Sequence, residues 1–180
     1  MWQFLSIENF SGDLGSFSCG ETQDEKGLND FLKLSARKFH GEGTSSVYLM
    51  VDKLFPSDVV GYFTLSNSLI PSNEVPDPFK EWISFDIPSV LIGKFALCKA
   101  YQGKKSEDGI KISQILATEA YRRILGQYNA KTIGFNSVRV DTQPSNQKAL
   151  TFWTKQGFIP FRKTKRFLFL PVSHLSKYFE

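Results

Sequence analysis

Residues 90–125 have the sequence VLIGKFALCKAYQGKKSEDGIKISQILATEAYRRIL, which is the most informative stretch of the chain. Its first part, Val90–Cys98, is a nearly continuous apolar run, which predicts a strand covered on both faces. After a polar segment, Gly109–Leu125 predicts a helix, because apolar residues recur every four positions from Ile112 to Ile124. A buried strand that leads through a polar turn into a helix favours an α/β domain.

Outward from this stretch, helices and strands alternate along the chain. Further strands are predicted at Trp2–Ile7, Val47–Val51, Val59–Leu65, Ser137–Asp141, Phe158–Phe161 and Arg166–Leu170, and further helices at Asp24–Phe39 and Ser145–Lys155. Lys53–Asp58 is predicted as a hairpin turn, and four prolines between residues 71 and 88 predict a long loop. We predict one domain over residues 1–180, with a mixed sheet and helices on its faces.

The composition excludes several classes of protein. The 180 residues are 41% hydrophobic and 22% charged, which is typical of a globular protein and not of a disordered chain. Two cysteines are too few for a disulfide framework or a cysteine zinc site, and two histidines exclude a His-rich metal site, so no metal is expected. The sequence lacks a long apolar segment and a signal-peptide pattern. These features together predict a cytoplasmic protein with no membrane partner.

The charge is mildly basic, with 22 Lys and Arg against 18 Asp and Glu and a net charge of +4. This balance permits an anionic partner, such as a phosphate-bearing cofactor or RNA, but does not require one. A basic cluster on the last predicted hairpin consists of Arg162, Lys163, Lys165 and Arg166. The cluster is interpreted either as a solvated sheet edge or as a surface that faces RNA.

The polar segment between the strand and the helix is a candidate anion site. Backbone N–H groups at a helix start point outward, and the helix dipole adds about half a positive charge there. Lys104, Lys105 and Lys111 add side-chain charge, while Gly103 and Gly109 allow close approach of a ligand. An ordinary surface loop with solvated lysines remains the alternative.

A second informative stretch is NQKALTFWTKQGF at residues 146–158. Together with the first it resembles the GNAT superfamily of acetyl-CoA-dependent N-acetyltransferases, whose pattern is Asn-x-x-Ala-x-x-Phe-Tyr-x-x-x-Gly-Phe. The matching residues are Asn146, Ala149, Phe152, Gly157 and Phe158, with Trp153 at the position of the Tyr. The segments Gly93–Leu97 and Tyr101–Gly103 are similar to the strand and turn of the family.

The N-terminal part resembles a GNAT branch that includes toxins of toxin–antitoxin pairs. The residues that carry this likeness are Phe17, Cys19, Gly20, Leu28, Asp30, Phe31, Leu32 and Ala36. The resemblance implies a three-layer GNAT-type fold with a largely antiparallel sheet and an acyltransferase that moves an acetyl group from acetyl-CoA to an amine. It also implies three partners besides acetyl-CoA: an aminoacyl-tRNA acceptor, an antitoxin protein and a second copy of the chain as a homodimer.

The resemblance also implies the site residues. Those expected to bind acetyl-CoA are Phe95, Ala96, Leu97, Gln102, Gly103, Lys104, Lys105, Gly109, Ile110, Lys111 and Phe152. A backbone N–H of the Phe95–Leu97 strand would polarise the thioester carbonyl. Asn146 and Trp153 occupy the catalytic positions. Glu81 and Asp86 are candidate bases, although solvated loop acids are the simpler interpretation.

Two departures from the family pattern keep a second function open. The glycines of the pyrophosphate loop are displaced by an insertion of about four residues, so that Gly109-Ile110-Lys111 stands where Gly-x-Gly is expected. Glu107 and Asp108 bring negative charge near the predicted helix start, where they would cap the helix but repel a pyrophosphate. Trp153 cannot donate a proton as a tyrosine hydroxyl does. The alternative is therefore a degenerate GNAT-fold binding module with little or no catalysis.

Overall fold

The computed structural model of the chain describes residues 1–80 and 85–179. In this part of the chain the strands form a seven-stranded sheet with the order β1-β2-β3-β4-β5-β7-β6. The strands are β1 Trp2–Ser6, β2 Ser46–Asp52, β3 Phe55–Ile70, β4 Ile87–Leu97, β5 Ser137–Asp141, β6 Ile159–Pro160 and β7 Phe167–Pro171. Strands β4 and β5 pair in parallel, whereas the pairs β1/β2, β2/β3, β5/β7 and β6/β7 are antiparallel. The predicted mixed, largely antiparallel sheet is confirmed.

The helices are α1 Gln23–Asp30, α2 Ala36–Gly41, α3 Asp77–Lys80, α4 Ile112–Ala130 and α5 Gln147–Lys155. Helix α1 begins with a capping box, in which Thr22 and Glu25 each accept the backbone N–H of the other. A π-helical turn at Phe31–Ser35 joins α1 to α2. This continuous helical run from residue 23 to residue 41 confirms the helix predicted over residues 24–39.

Several predicted boundaries are wrong. Strand β3 runs to Ile70, past the predicted Leu65, and α4 runs to Ala130, past the predicted Leu125. Three further differences have a physical reason. The turn between β2 and β3 is much shorter than predicted, because Asp52 already pairs with Phe55 and its carboxylate accepts the Leu54 N–H at 3.0 Å. Helix α4 begins three residues later than predicted, at Ile112, because residues 109–111 belong to a small hairpin. Pro88 lies inside β4, as its second residue, where a missing N–H is tolerated near the start of a strand.

The chain divides into two compact units. Unit 1 consists of Met1–Leu65 and Lys94–Ala120, and unit 2 of Ser66–Gly93 and Tyr121–Glu180, so β3, β4 and α4 each contribute residues to both. Unit 1 has an apolar core under α1 and α2 that includes Phe17, Leu32 and Tyr62. The core cluster of unit 2 contains Ile70, Val75, Ile87, Phe161 and Phe169. A single domain over residues 1–180 stays a prediction.

No helix in the described part of the chain is long and apolar enough to cross a bilayer.

Candidate functional site

In unit 1, the end of β4 lies very close to β3. A methyl group added at Gly61 of β3 would stand 2.9 Å from the Ala96 carbonyl oxygen of β4, so only glycine fits without a shift. The Lys94 N–H of β4 donates to the Thr64 hydroxyl of β3 at 2.9 Å. The predicted cofactor residues at this strand end differ in exposure, since Phe95 is half-buried while Ala96 and Leu97 are buried. The strand end is thus held firmly in place.

Gln102 ties the turn after β4 to the rest of unit 1. Its side-chain amide donates to the Cys19 carbonyl at 2.6 Å and to the Leu97 carbonyl at 3.0 Å. The next residue, Gly103, has a φ of +74° and open space where a side chain would stand. The side chain of Gln102 therefore fixes the turn, while the backbone at Gly103 faces open space.

Residues 104–112 form a small antiparallel hairpin between this turn and α4. Lys105 pairs with Lys111, the Ser106 N–H donates to the Ile110 carbonyl at 2.8 Å, and the Ile112 N–H donates to the Lys104 carbonyl at 3.1 Å. The Gly109 N–H donates to the Ser106 carbonyl, and Gly109 has a φ of +77°. A three-residue hairpin loop needs such a left-handed residue. Gly109 therefore has a structural reason to be glycine that is independent of any ligand.

The hairpin separates the lysines from the acids of the insertion. Lys104, Lys105 and Lys111 lie at its neck, where the chain leaves and returns, and all three are exposed. Within residues 1–80 and 85–179 none of them forms an ion pair, although the Lys104 ammonium lies 5.8 Å from the centre of the Tyr101 ring. Glu107 and Asp108 lie in the turn at the tip of the hairpin. The expected capping of α4 by these two acids is therefore wrong, because the helix starts four residues after Asp108.

A cleft of about 500 Å³ opens in unit 1 between the hairpin and the N-terminal strand. Trp2 and Tyr101 form one wall, with their rings in an edge-to-face contact at 5.8 Å. Charged groups of both signs also line the cleft, namely Lys104 and Lys105 together with Asp52, Glu107 and Asp108. The remaining predicted residue, Ile110, is exposed on the hairpin and lines the same cleft.

In unit 2, the motif around α5 forms a capped helix with an aromatic face. Asn146 is the N-cap of α5, and its side-chain oxygen accepts the Ala149 N–H at 2.9 Å. Trp153 is only 5% exposed and packs edge-to-face on Phe152 at 4.9 Å and on Phe158 at 5.2 Å. The structure thus assigns Asn146 the role of a cap and Trp153 the role of a packed aromatic residue.

Two tyrosines that the sequence pattern does not single out lie beside this group. The rings of Tyr121 and Tyr178 are 5.1 Å apart, and Tyr121 also packs on Phe158. The Tyr178 hydroxyl donates to the Gln156 carbonyl, and the Tyr121 hydroxyl is buried with no hydrogen-bond partner in the described part of the chain. Burial raises the pKa of both hydroxyls. Tyr121 could have been found from the sequence, because it lies on the buried stripe of α4 next to Ala120.

The other candidates from the sequence have structural partners. Cys19 is buried, and its pKa is raised to about 11 by burial and the charge of Glu25, which keeps the thiol protonated. The ring of His40 accepts the Val47 N–H at 3.1 Å. Asp86 accepts the Ser72 N–H at 2.9 Å, and Glu81 lies outside the described residues. Residues 1–80 and 85–179 contain no group of three or more His, Cys, Asp and Glu arranged to hold a metal ion.

No model of a known protein family matches the sequence. Among solved structures, the chain is similar to a Tyr-to-Phe mutant of KacT, with 26% identity, 98% of each chain covered and a TM-score of 0.81. It is similar to AtaT complexed with acetyl-methionyl-tRNAfMet, with 25% identity, 100% of each chain covered and a TM-score of 0.79. A third is a Tyr-to-Phe mutant of the toxin AtaT bound to acetyl-CoA and the C-terminus of the antitoxin AtaR, with 25% identity, 99% and 98% coverage and a TM-score of 0.76. The chain is therefore a protein of the GNAT fold that resembles the toxin branch of that superfamily.

Proposed function

We propose that this chain is an acetyl-CoA-dependent N-acetyltransferase that acetylates the α-amino group of an aminoacyl-tRNA. The observation that carries the proposal is the full-length likeness to AtaT, which was solved with acetyl-methionyl-tRNAfMet and, as a mutant, with acetyl-CoA. The proposal also implies an antitoxin partner, as in the AtaR complex, and a cytoplasmic location, where charged tRNA is found.

The residues of the β4–α4 connection fit a phosphate-bearing cosubstrate. Lys104, Lys105 and Lys111 present three exposed positive charges at the hairpin neck. The backbone at Gly103 has open space beside it. The helix-start N–H of Ile112 is already bonded to Lys104, so an anion at this place would be held mainly by the lysine side chains. The family's backbone cradle is therefore replaced in part by side-chain charge.

Acetyl-CoA supplies an activated acetyl group as a thioester. The acceptor nitrogen forms a bond to the acetyl carbon, while the carbon–sulfur bond breaks and its electron pair leaves on the sulfur of CoA. The proton lost by the amine passes through solvent to this thiolate, so the products are the N-acetylated acceptor and CoA. A backbone N–H of Phe95–Leu97 would polarise the carbonyl during this attack. Trp153 is a buried indole and donates no proton to the leaving thiolate, so we assign catalysis mainly to positioning and polarisation. Asn146 contributes by capping α5.

The second candidate function is a binding module that keeps the fold without the chemistry. Trp153 at the position of the family's tyrosine and the hairpin inserted in the pyrophosphate loop both favour this alternative. Both candidates predict the same fold, so only ligand binding and acetyl transfer distinguish them.

The test combines calorimetry with an acetyl-transfer assay. Titration with acetyl-CoA is expected to give micromolar affinity, which corresponds to roughly −8 kcal/mol. The double variant Lys104→Gln, Lys105→Gln removes two of the three positive charges at the hairpin neck. It should bind acetyl-CoA about tenfold more weakly, since two cation–phosphate contacts are lost. The matched control, Lys26→Gln with Lys33→Gln on the α1 side of unit 1, should bind as the wild type does.

Labelled acetyl transfer from acetyl-CoA to a set of charged tRNAs decides the reaction. Transfer to at least one of them is expected. Binding of acetyl-CoA without transfer to any charged tRNA would contradict the proposed acceptor. Absence of acetyl-CoA binding at millimolar concentration would support the binding module.

A further inference from the structure

The loop between β6 and β7 carries the basic cluster, and its backbone is fixed by a single carboxylate. Glu74 accepts the N–H groups of Lys163 at 2.9 Å and Thr164 at 3.2 Å, and also the Thr164 hydroxyl at 3.0 Å. The Glu74 carbonyl accepts the Arg162 N–H at 2.7 Å. One residue therefore makes four hydrogen bonds to three consecutive residues of this loop. We call residues Arg162–Arg166 the basic loop.

The far end of the basic loop is fixed as well. The Arg166 carbonyl accepts both the N–H and the hydroxyl of Thr142, at 3.0 and 2.8 Å. Thr142 follows β5 directly and lies four residues before Asn146, the cap of α5. The basic loop is thus attached, within unit 2, to the connection that leads into the helix of the GNAT motif.

The cations of the basic loop point to solvent. The side chains of Arg162, Lys163, Lys165 and Arg166 are all exposed. Arg162 forms a long ion pair with Asp77 at 3.8 Å, while in the described part of the chain Lys163, Lys165 and Arg166 form none. The Arg166 guanidinium lies 4.6 Å from the centre of the Phe167 ring, which holds it in place by stacking. Three exposed cations that form no ion pair in the described part of the chain therefore stand on a fixed backbone, and together they make a site for an extended anion.

We propose that the basic loop binds the phosphate backbone of the RNA acceptor, and that Glu74 is the positioning residue that holds the loop in its binding conformation. This inference rests on the proposed function, because it assumes an RNA acceptor. Lys and Arg contacts to phosphates supply affinity without reading sequence, and a prearranged set of cations loses less entropy on binding than a mobile one. The basic loop therefore recognises the tRNA body, not the amino acid.

The first test measures tRNA binding by fluorescence anisotropy over a range of salt concentrations. In the variant Lys163→Gln, Lys165→Gln, Arg166→Gln, affinity should fall about tenfold or more, and the slope of log K against log salt should become shallower by about 2 to 3, because three phosphate contacts are lost. The matched control, Lys26→Gln, Lys33→Gln, Lys38→Gln, removes the same charge from another exposed surface and should bind tRNA as the wild type does. Equal losses in both variants would overturn the inference, because affinity would then follow net charge alone.

The second test measures the tRNA affinity of Glu74→Gln. A purely electrostatic patch and a positioning role of Glu74 predict opposite changes in this affinity. The substitution makes the protein more positive by one charge, so a purely electrostatic patch would bind tRNA more tightly. A positioning role predicts weaker binding, because the loop loses its charge-assisted hydrogen bonds. Tighter or unchanged tRNA affinity would overturn the role of Glu74.

The assay also separates this inference from the proposed function. With the basic-loop variant, the KM for charged tRNA should rise, while transfer to an aminoacyl-adenosine without a tRNA body should be unchanged. If the wild type binds tRNA through the basic loop but transfers no acetyl group, the proposed function fails, and only the assignment of the basic loop as a tRNA-binding surface stands. If the variant binds tRNA as the wild type does, the inference fails whatever the activity, and an acidic protein partner becomes the occupant to test.

Discussion

At the scale of single residues, two glycines of unit 1 have opposite structural roles. A methyl group added at Gly61 would lie 2.9 to 3.1 Å from the Ala96 carbonyl and the side chains of Leu97 and Leu116. Gly27 lies in α1, and a methyl group there would meet nothing within 4 Å. Position 61 requires glycine because a larger side chain would clash. At position 27 the glycine has no such role and only increases the conformational freedom of the unfolded chain.

We therefore predict opposite effects of alanine at these two positions. Gly61→Ala should lower the free energy of unfolding by about 1–3 kcal/mol, because backbone and packed side chains must move. Gly27→Ala should raise it by about 0.4–1 kcal/mol. Urea unfolding followed by tryptophan fluorescence measures both. Equal effects of the two substitutions would show that β3 and β4 are not tightly packed at Gly61.

A second prediction at this scale concerns Glu74 and the pH dependence of the protein's stability. Burial by itself raises the pKa of its carboxyl, but the hydrogen bonds from Lys163 and Thr164 and the charge of Lys163 outweigh this and lower the pKa below its ordinary value of 4.5. A carboxyl with a lowered pKa stabilises the fold above its unfolded pKa, and this contribution disappears as the pH falls through the folded pKa.

The wild type should therefore exceed Glu74→Gln in stability at pH 7, and the difference should shrink as the pH falls below about 4.5. Urea unfolding of both proteins at pH 7 and pH 3 measures this difference. A difference that is the same at both values would mean that the ionised form of Glu74 is not what stabilises the basic loop.

At the scale of elements, a hairpin at residues 104–112 stands where the pattern of the family has its pyrophosphate loop. At its neck the Ile112 N–H donates to the Lys104 carbonyl, which closes the hairpin. Its tip carries Glu107 and Asp108. The insertion therefore forms a closed unit of its own, with the lysines and the acids at opposite ends. The acids oppose an anion at the neck only weakly, because exposed charges are screened by water and salt.

We predict that shortening this hairpin tightens acetyl-CoA binding. Replacing residues 106–110 by Asn-Gly keeps the pair Lys105 and Lys111 next to a two-residue turn and removes both acids. Affinity for acetyl-CoA, measured by calorimetry, should rise about twofold to fivefold, which is the scale of exposed charge interactions. Loss of binding would show that the hairpin contributes to the site as it stands.

At the scale of the whole molecule, each unit contributes a different part of the proposed chemistry. Unit 1 carries the end of β4 and the neck lysines, and unit 2 carries α5, Trp153 and the basic loop. The two groups of cations suit different anions: the neck lysines suit a small phosphate-bearing cosubstrate, and the basic loop suits a long polyanion. AtaT, to which the chain is similar over its full length, was solved with acetyl-methionyl-tRNAfMet and, as a mutant, with acetyl-CoA.

Much of the fold could be predicted from the sequence, because it depends on neighbours along the chain. Apolar residues repeat with helical spacing in α4, and a continuous apolar run marks β4, so the order of these strands and helices follows from local patterns. The motif from Asn146 to Phe158, taken together with Gly93–Leu97 and Tyr101–Gly103, likewise resembles the pattern of the GNAT superfamily. Local periodicity and short motifs contain this information in themselves.

The contacts of individual candidate residues could be found only from the tertiary structure, because their partners are far away in the chain. Gln102 binds the Cys19 carbonyl across 83 residues, and Glu74 binds the basic loop across 89 and 90 residues. No periodicity or spacing predicts such hydrogen bonds, which exist only once strands from distant segments have paired. For the same reason, Gly109 matched a phosphate-binding pattern in the sequence, while its backbone pairing made it the turn of a hairpin.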